Sequence, residues 1–80
     1  MKSVDPFDIE VGKLYKYYEF HIFKEPNPNK VVKFIKNSEI LFILEKIKTD
    51  SFHCLFKVLV GDICGYVYIN SSVTVEEVKQ

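Results

Sequence analysis

The run Ile40-Leu41-Phe42-Ile43-Leu44, the segment Phe52-His53-Cys54-Leu55-Phe56-Lys57-Val58-Leu59-Val60, the pair Gly61-Asp62 and the segment Ile63-Cys64-Gly65-Tyr66-Val67-Tyr68-Ile69 together decide the fold. In the second segment Phe52, Cys54, Phe56, Val58 and Val60 share one parity, with His53 and Lys57 on the other. Alternation of period two marks a half-buried strand, and Gly-Asp between two such runs marks a tight hairpin. In the following strand Val67 and Ile69 point inward while Tyr66 and Tyr68 point outward. Gly65 within that strand predicts a bulge or a close approach of another backbone. The unbroken run from Ile40 to Leu44 reads as buried on both faces, as where a strand bends between two sheets. A meander this short buries its apolar face only by curling, so a small barrel is expected. Leu41, Ile43, Phe56, Val58 and Val67 should lie at its centre.

Working outward, residues 1–11 read as an irregular lead-in and residues 12–80 as one domain. The first strand starts at Gly12, with Leu14, Tyr18, Phe20 and Ile22 expected inside and Tyr15, Tyr17, Glu19 and His21 outside. Lys16 would snorkel on its long stem. Lys24 to Asn29 forms a turn-rich loop, because Pro26 and Pro28 both oppose ladder pairing. Val31 to Ile35 makes a short strand, Asn37-Ser38 a tight turn, and Glu39 to Lys48 the next strand. Thr49-Asp50-Ser51 is a further turn. Asn70-Ser71-Ser72 should make one helical turn before a last strand, Val73 to Val75, with Glu76-Glu77 as a solvated end. No segment sustains a helical period, so helix content should be negligible.

Composition bounds the remaining possibilities. Eighty residues make a single small domain, and 48% hydrophobic content with seven Phe and five Tyr supplies a core. Eleven lysines balance eleven carboxylates, so a purely electrostatic nucleic-acid binder is not expected. Lys13 to Lys36 nevertheless holds six lysines against Glu19 and Glu25. The absence of Arg, Ala and Trp beside many Phe, Tyr, Ile, Asn and Lys matches an AT-rich genome such as that of many bacteriophages or low-GC bacteria. The lead-in lacks the apolar core of a signal peptide, and no apolar run approaches the ~20 residues of a membrane helix. A hairpin pairing Val60 with Ile63 sets Cys54 opposite Ile69 and Cys64 opposite Leu59, too far apart for a disulfide. These features imply a cytoplasmic protein, in the host cytoplasm if phage-encoded, with no membrane partner.

The order of elements from about Val11 to Val78 resembles the bacterial SH3-like domain of the SH3b type. Ile22-Phe23-Lys24-Glu25-Pro26 stands where that family has an apolar-basic-polar-Pro loop. Val31-Val32-Lys33-Phe34-Ile35 and Ile40 to Leu44 occupy its next two strands. Phe56-Lys57-Val58 and Gly65-Tyr66-Val67 look like its W-x-K-V and G-W-V hairpin, without the Trp. Asn70-Ser71-Ser72 falls at its 3-10 turn, and Ser38 replaces the glycine usual before the third strand. The resemblance implies an all-β, five- to six-stranded SH3-like barrel with a short 3-10 turn before the last strand. It also implies that the long loop and the 3-10 turn lie side by side. Tyr68 stands where the proline of a polyproline groove would be, so PxxP ligands are not expected.

The candidate site follows from what such a barrel leaves outside. Tyr15, Tyr17, Pro26, Pro28, Tyr66, Tyr68 and Asn70 form the expected contact surface for another protein, since aromatic anchors dominate interface energetics. The leading expectation is a non-catalytic, stand-alone interaction module, such as a small phage-type regulator or inhibitor of a host or phage protein. An alternative is single-stranded nucleic acid, with the tyrosines stacking on bases while Lys13, Lys16, Lys24, Lys30 and Lys33 hold phosphates. A third is a cell-wall-binding role. Self-association through edge strands is a further expectation. His21, His53, Cys54 and Cys64 lack paired ligand spacing, so neither metal nor cofactor is expected. His53 and Cys54 are adjacent strand residues pointing to opposite faces, which leaves no nucleophile–base pair and no expected catalysis.

Overall fold

The computed structural model describes residues 2–26 and 30–79. Eight strands form one antiparallel sheet: β1 (Lys2–Val4), β2 (Leu14–Tyr17), β3 (Phe20–Phe23), β4 (Val31–Ile35), β5 (Glu39–Thr49), β6 (His53–Val60), β7 (Ile63–Asn70) and β8 (Val75–Val78). A 3-10 turn, Pro6–Asp8, follows β1, and the described residues contain no α-helix. The strand order is β1-β8-β2-β5-β6-β7-β3-β4, so the sheet is not closed. It is strongly rolled, because Val4 of β1 and Ile35 of β4 belong to one hydrophobic core. The all-β class is as the sequence indicates, but there are eight strands where five or six were expected.

The two additional strands have separate origins. Lys2–Val4, within the lead-in read as irregular, pairs with β8, with Val4 opposite Val75. Val4, Pro6 and Ile9 are buried. Lys46 Nζ donates to the carbonyls of Phe7 at 2.6 Å and Ile9 at 3.2 Å, holding the 3-10 turn against β5. The expected first strand, for its part, divides at Tyr18-Glu19. Glu19 adopts φ +56°, a left-handed conformation unfavourable for a residue with a Cβ. That break shifts the side-chain phase. Tyr15 is 0% exposed and Tyr18 59% exposed, the reverse of the expected assignment, while Phe20 and Ile22 are buried as expected. Tyr15 and Phe20 are five positions apart, so both face inward only because the strand is interrupted between them.

The long strand β5 also bends. Its early residues pair with β2 and its later ones with β6, and register shifts at Ile43/Glu45 and Lys46/Lys48 mark two irregularities. Leu41 and Ile43 are fully buried, but Ile40 and Leu44 are more than one-third exposed. The apolar run is therefore buried on one face, not both, and the bend comes from the bulges. β6 begins one residue later than expected. Asp50 Oδ1 accepts the amides of Phe52 at 2.8 Å and His53 at 2.7 Å, and this turn turns Phe52 out to 75% exposure.

The central hairpin agrees with its reading in detail. Val60 pairs with Ile63, Cys54 with Ile69 and Cys64 with Leu59, and both thiols are free. Gly61 has φ +62° while Asp62 does not enter positive φ, the pattern of a type II′ turn. Gly65 marks a close approach: a Cβ there would lie 2.8 Å from the Phe23 carbonyl oxygen and would overlap the Ile22 side chain. At this point β7 meets β3, with Phe23 opposite Tyr66. Leu41, Ile43, Phe56, Val58 and Val67 are all fully buried, as expected.

The turn after β7, expected to be 3-10, is a single hydrogen-bonded turn, closed by the Val73 amide donating to the Asn70 carbonyl at 3.2 Å, and the 3-10 helix among the described residues is Pro6–Asp8 instead. The last strand starts at Val75 rather than Val73, so Glu76 and Glu77 are sheet residues rather than a solvated end. Glu76 pairs with Ser3 and Lys16, and Glu77 with Lys2 and Tyr15.

Candidate interaction surface

Strand parity on β7 turns Gly65, Val67 and Ile69 into the core and leaves Tyr66 and Tyr68 half-buried on the outer face. Around Tyr68 the outer face is aromatic. His53 of β6 lies 6.3 Å away, ring centre to ring centre, and Phe23 of β3 lies 5.6 Å away, both edge to face. The row continues from Phe23 to His21 at 6.1 Å and from His21 to Phe34 of β4 at 4.7 Å. Five rings thus cross β6, β7, β3 and β4 in sheet order. Edge-on pairs such as Phe23–Tyr68 add stabilisation beyond their buried area. Tyr66 sits beside the row, opposite Lys57 on one side and Phe23 on the other.

The loop after β3 is tied to this row. The Tyr68 hydroxyl donates to the Pro26 carbonyl at 3.2 Å, and the Lys24 amide donates to the Lys30 carbonyl at 2.8 Å across the base of the loop. Pro26, Tyr66 and Tyr68 of the expected surface therefore come together. Pro28, also expected there, lies outside the described residues. Asn70 stands at the end of β7 opposite His53, but its side-chain oxygen accepts the Ser72 amide at 2.9 Å and the Ser72 hydroxyl at 2.7 Å. It shapes the turn.

Tyr15 does not belong to an outer surface. Its ring fills the core, and the Glu10 amide donates to its hydroxyl oxygen at 2.9 Å. A buried Tyr needs such a partner at its polar tip, and the lead-in supplies it. Tyr17 is half-buried and stacks on Phe20 at 5.4 Å, with Tyr18 at 6.4 Å. Burial, with a contribution from neighbouring Tyr18, raises its phenol above the ordinary tyrosine range.

The five candidate lysines divide into two groups. Lys13 pairs with Glu10 at 2.8 Å and lies 3.7 Å from Glu77, while Lys16 stands opposite Glu76. The hydrogen bond and charge of Lys13 hold the Glu10 carboxyl below its usual range, and Glu10 in turn raises Lys13. Lys24, Lys30 and Lys33 belong instead to the β3–β4 hairpin, at the far end of the strand order.

The ring partners His21, Phe23, Phe34 and His53 were not named as site residues from sequence. Parity places His21 and His53 outside, but only the β3–β4 and β6–β7 registers join them into a row. A large concavity, about 670 Å³, lies elsewhere, against β1 and the 3-10 turn, with Asp5, Asp8, Glu10, Lys13 and Lys46 in its lining. Glu10, Lys13 and Lys46 are already engaged within the chain. Among the described residues no three His, Cys, Asp or Glu side chains converge as a metal site would require. No helix among the described residues is long and apolar enough to cross a membrane. Compared with known proteins, the chain matches no family model, no curated protein and no solved structure.

Proposed function

We propose that this chain is a non-catalytic protein-interaction module that binds through the aromatic row around Tyr68 and the adjoining Pro26 loop. The observation that carries this reading is the bond from Tyr68 to the Pro26 carbonyl together with the Phe23–Tyr68 ring contact. They fix aromatic side chains of four strands against a proline-containing loop. Rings held in place lose little entropy when a partner covers them, which lowers the cost of binding.

The rolled sheet is then SH3-like in kind, with β1 and the break at Glu19 as additions. In support, the Tyr68 hydroxyl bond to the Pro26 carbonyl sets the long loop against β7, the strand that leads into the turn before β8. A small regulator that occupies a surface of a host or phage protein is the role this best fits.

Affinity capture from cell lysate, with Tyr68→Ser as control, tests the reading. A stoichiometric protein partner should be recovered by the parent and lost by the variant, while the melting temperature falls only slightly. Retention of nucleic acid with no protein partner would overturn it. The single-stranded nucleic-acid reading keeps one specific support, that the hairpin carrying the rings of His21 and Phe34 also carries Lys24, Lys30 and Lys33, all exposed. Its signature is binding that weakens steeply with salt.

A further inference from the structure

The aromatic row ends at β4, a strand of five residues with β3 on one side and, among the described residues, no strand on the other. Its outward backbone donors and acceptors form an open template for another extended chain. Only Ile35 of this strand is buried; Val31 and Val32 are each 50% exposed and Phe34 is 49% exposed. Apolar side chains therefore flank the open edge, and Phe34 joins it to the row through His21.

Charge selects the occupant. Lys24, Lys30, Lys33 and Lys36 are all exposed on the hairpin and its ends, and Glu25 is the one carboxylate between Ile22 and Asn37. A second copy docking edge to edge would bring its own Lys30, Lys33 and Lys36 against these three, and like charges across adjacent strands destabilise pairing. The same lysines attract a strand that carries carboxylates. We propose that the free edge of β4 accepts, as an added strand, an extended segment of a partner protein in which acidic and apolar residues alternate. Backbone hydrogen bonds would supply register, Val31, Val32 and Phe34 the apolar contact, and the lysines the choice of partner. This rests on the protein-interaction reading and names the mode of contact.

The probe is a capped peptide alternating glutamate and valine, titrated into isotope-labelled full-length protein. The amides of Val31–Ile35 should shift and gain protection from exchange, and binding should weaken as salt rises. The counterpart peptide alternating lysine and valine should bind at least about tenfold more weakly. A protein carrying Lys33→Glu and Lys36→Glu should invert that preference. N-methylation of alternate peptide residues, in one of the two possible registers, should abolish binding. Failure of the glutamate peptide to perturb β4, equal binding of both peptides, or indifference to N-methylation in both registers overturns the proposal. So does sedimentation that shows the free protein paired through β4, or perturbation of these amides by a single-stranded oligonucleotide and not by the peptide. A captured partner lost with Tyr68→Ser but kept by the Lys33→Glu/Lys36→Glu protein refutes strand addition alone and leaves the interaction reading standing.

Discussion

At one end of the sheet, three residues of β1 lie along β8, and the chain then turns through Pro6–Asp8 so that Val4, Pro6 and Ile9 enter the core. Lys46 grips that turn through two carbonyls, and Tyr15 is satisfied by the Glu10 amide. At the other end, β4 contributes only Ile35 to the core and leaves Val31, Val32 and Phe34 half exposed beside lysines. Both strands are edges, yet one is welded to the core by side chains and the other is held chiefly by its ladder to β3. Being an edge therefore does not by itself make a contact site. What separates the two is how much of the strand the rest of the molecule already uses.

The contrast is broken most directly by paired truncations. Ile9→Ala should cost about 2–5 kcal/mol, the transfer energy of the lost atoms plus the cavity left behind. Phe34→Ala should cost no more than ~1 kcal/mol, since half its surface is already in water. Denaturant unfolding of the two variants measures both, and equal losses would show that the two edges are packed alike. Phe56→Ala, at the common centre, serves as reference at about 3–5 kcal/mol.

Gly65→Ala sharpens the same contrast from within. The new methyl group would meet the Phe23 carbonyl and the Ile22 side chain, so β3 must move off β7. A cost of about 1–3 kcal/mol is expected for such overpacking. Faster amide exchange should be confined to β3 and β4, with β1 and β8 unaffected. Uniform acceleration would mean that the sheet opens as a single unit.

Tyr15→Phe tests the welded end. It keeps the ring and deletes the oxygen that accepts the Glu10 amide, so about 1 kcal/mol should be lost. The ring should remain buried, and a larger loss would assign the hydroxyl a greater role in closing the lead-in.

The smallest effect is expected at the β5–β6 turn, midway between the ends. The amides of His53 and Phe52, with Lys48 nearby, hold the Asp50 carboxyl below its usual value near 3.8. Because the folded-state value is depressed, this group's contribution to stability is complete above the unfolded value and is lost as pH falls through the folded one. Carboxyl titration by NMR should place Asp50 below the ordinary aspartate value, and Asp50→Asn should flatten the acid limb of the stability curve slightly, leaving the protection of each edge as it is in the parent.

Much of the architecture was legible because it is local. The Gly61-Asp62 turn sets the register of β6 and β7 at once, and that register correctly separates Cys54 from Cys64 and buries Phe56, Val58 and Val67. Tyr15 was misassigned because parity assumes an unbroken strand, and nothing in Tyr17-Tyr18-Glu19 announces a left-handed glutamate. The run from Ile40 to Leu44 misled for a related reason: apolar continuity does not distinguish a strand buried on both faces from one bent by bulges.

By itself the sequence determined an all-β chain, its central hairpin and most of its core, since alternation and turn chemistry act between near neighbours along the chain. Tertiary structure alone decided that Lys2–Val4 would be a strand, that Tyr15 would be core, and that five rings from β6, β7, β3 and β4 would stand in one row. It also decided which strand would remain an open edge. Each of these depends on which strands meet across long stretches of chain, and that choice is made by whole-molecule burial and backbone pairing, not by any pattern confined to one segment.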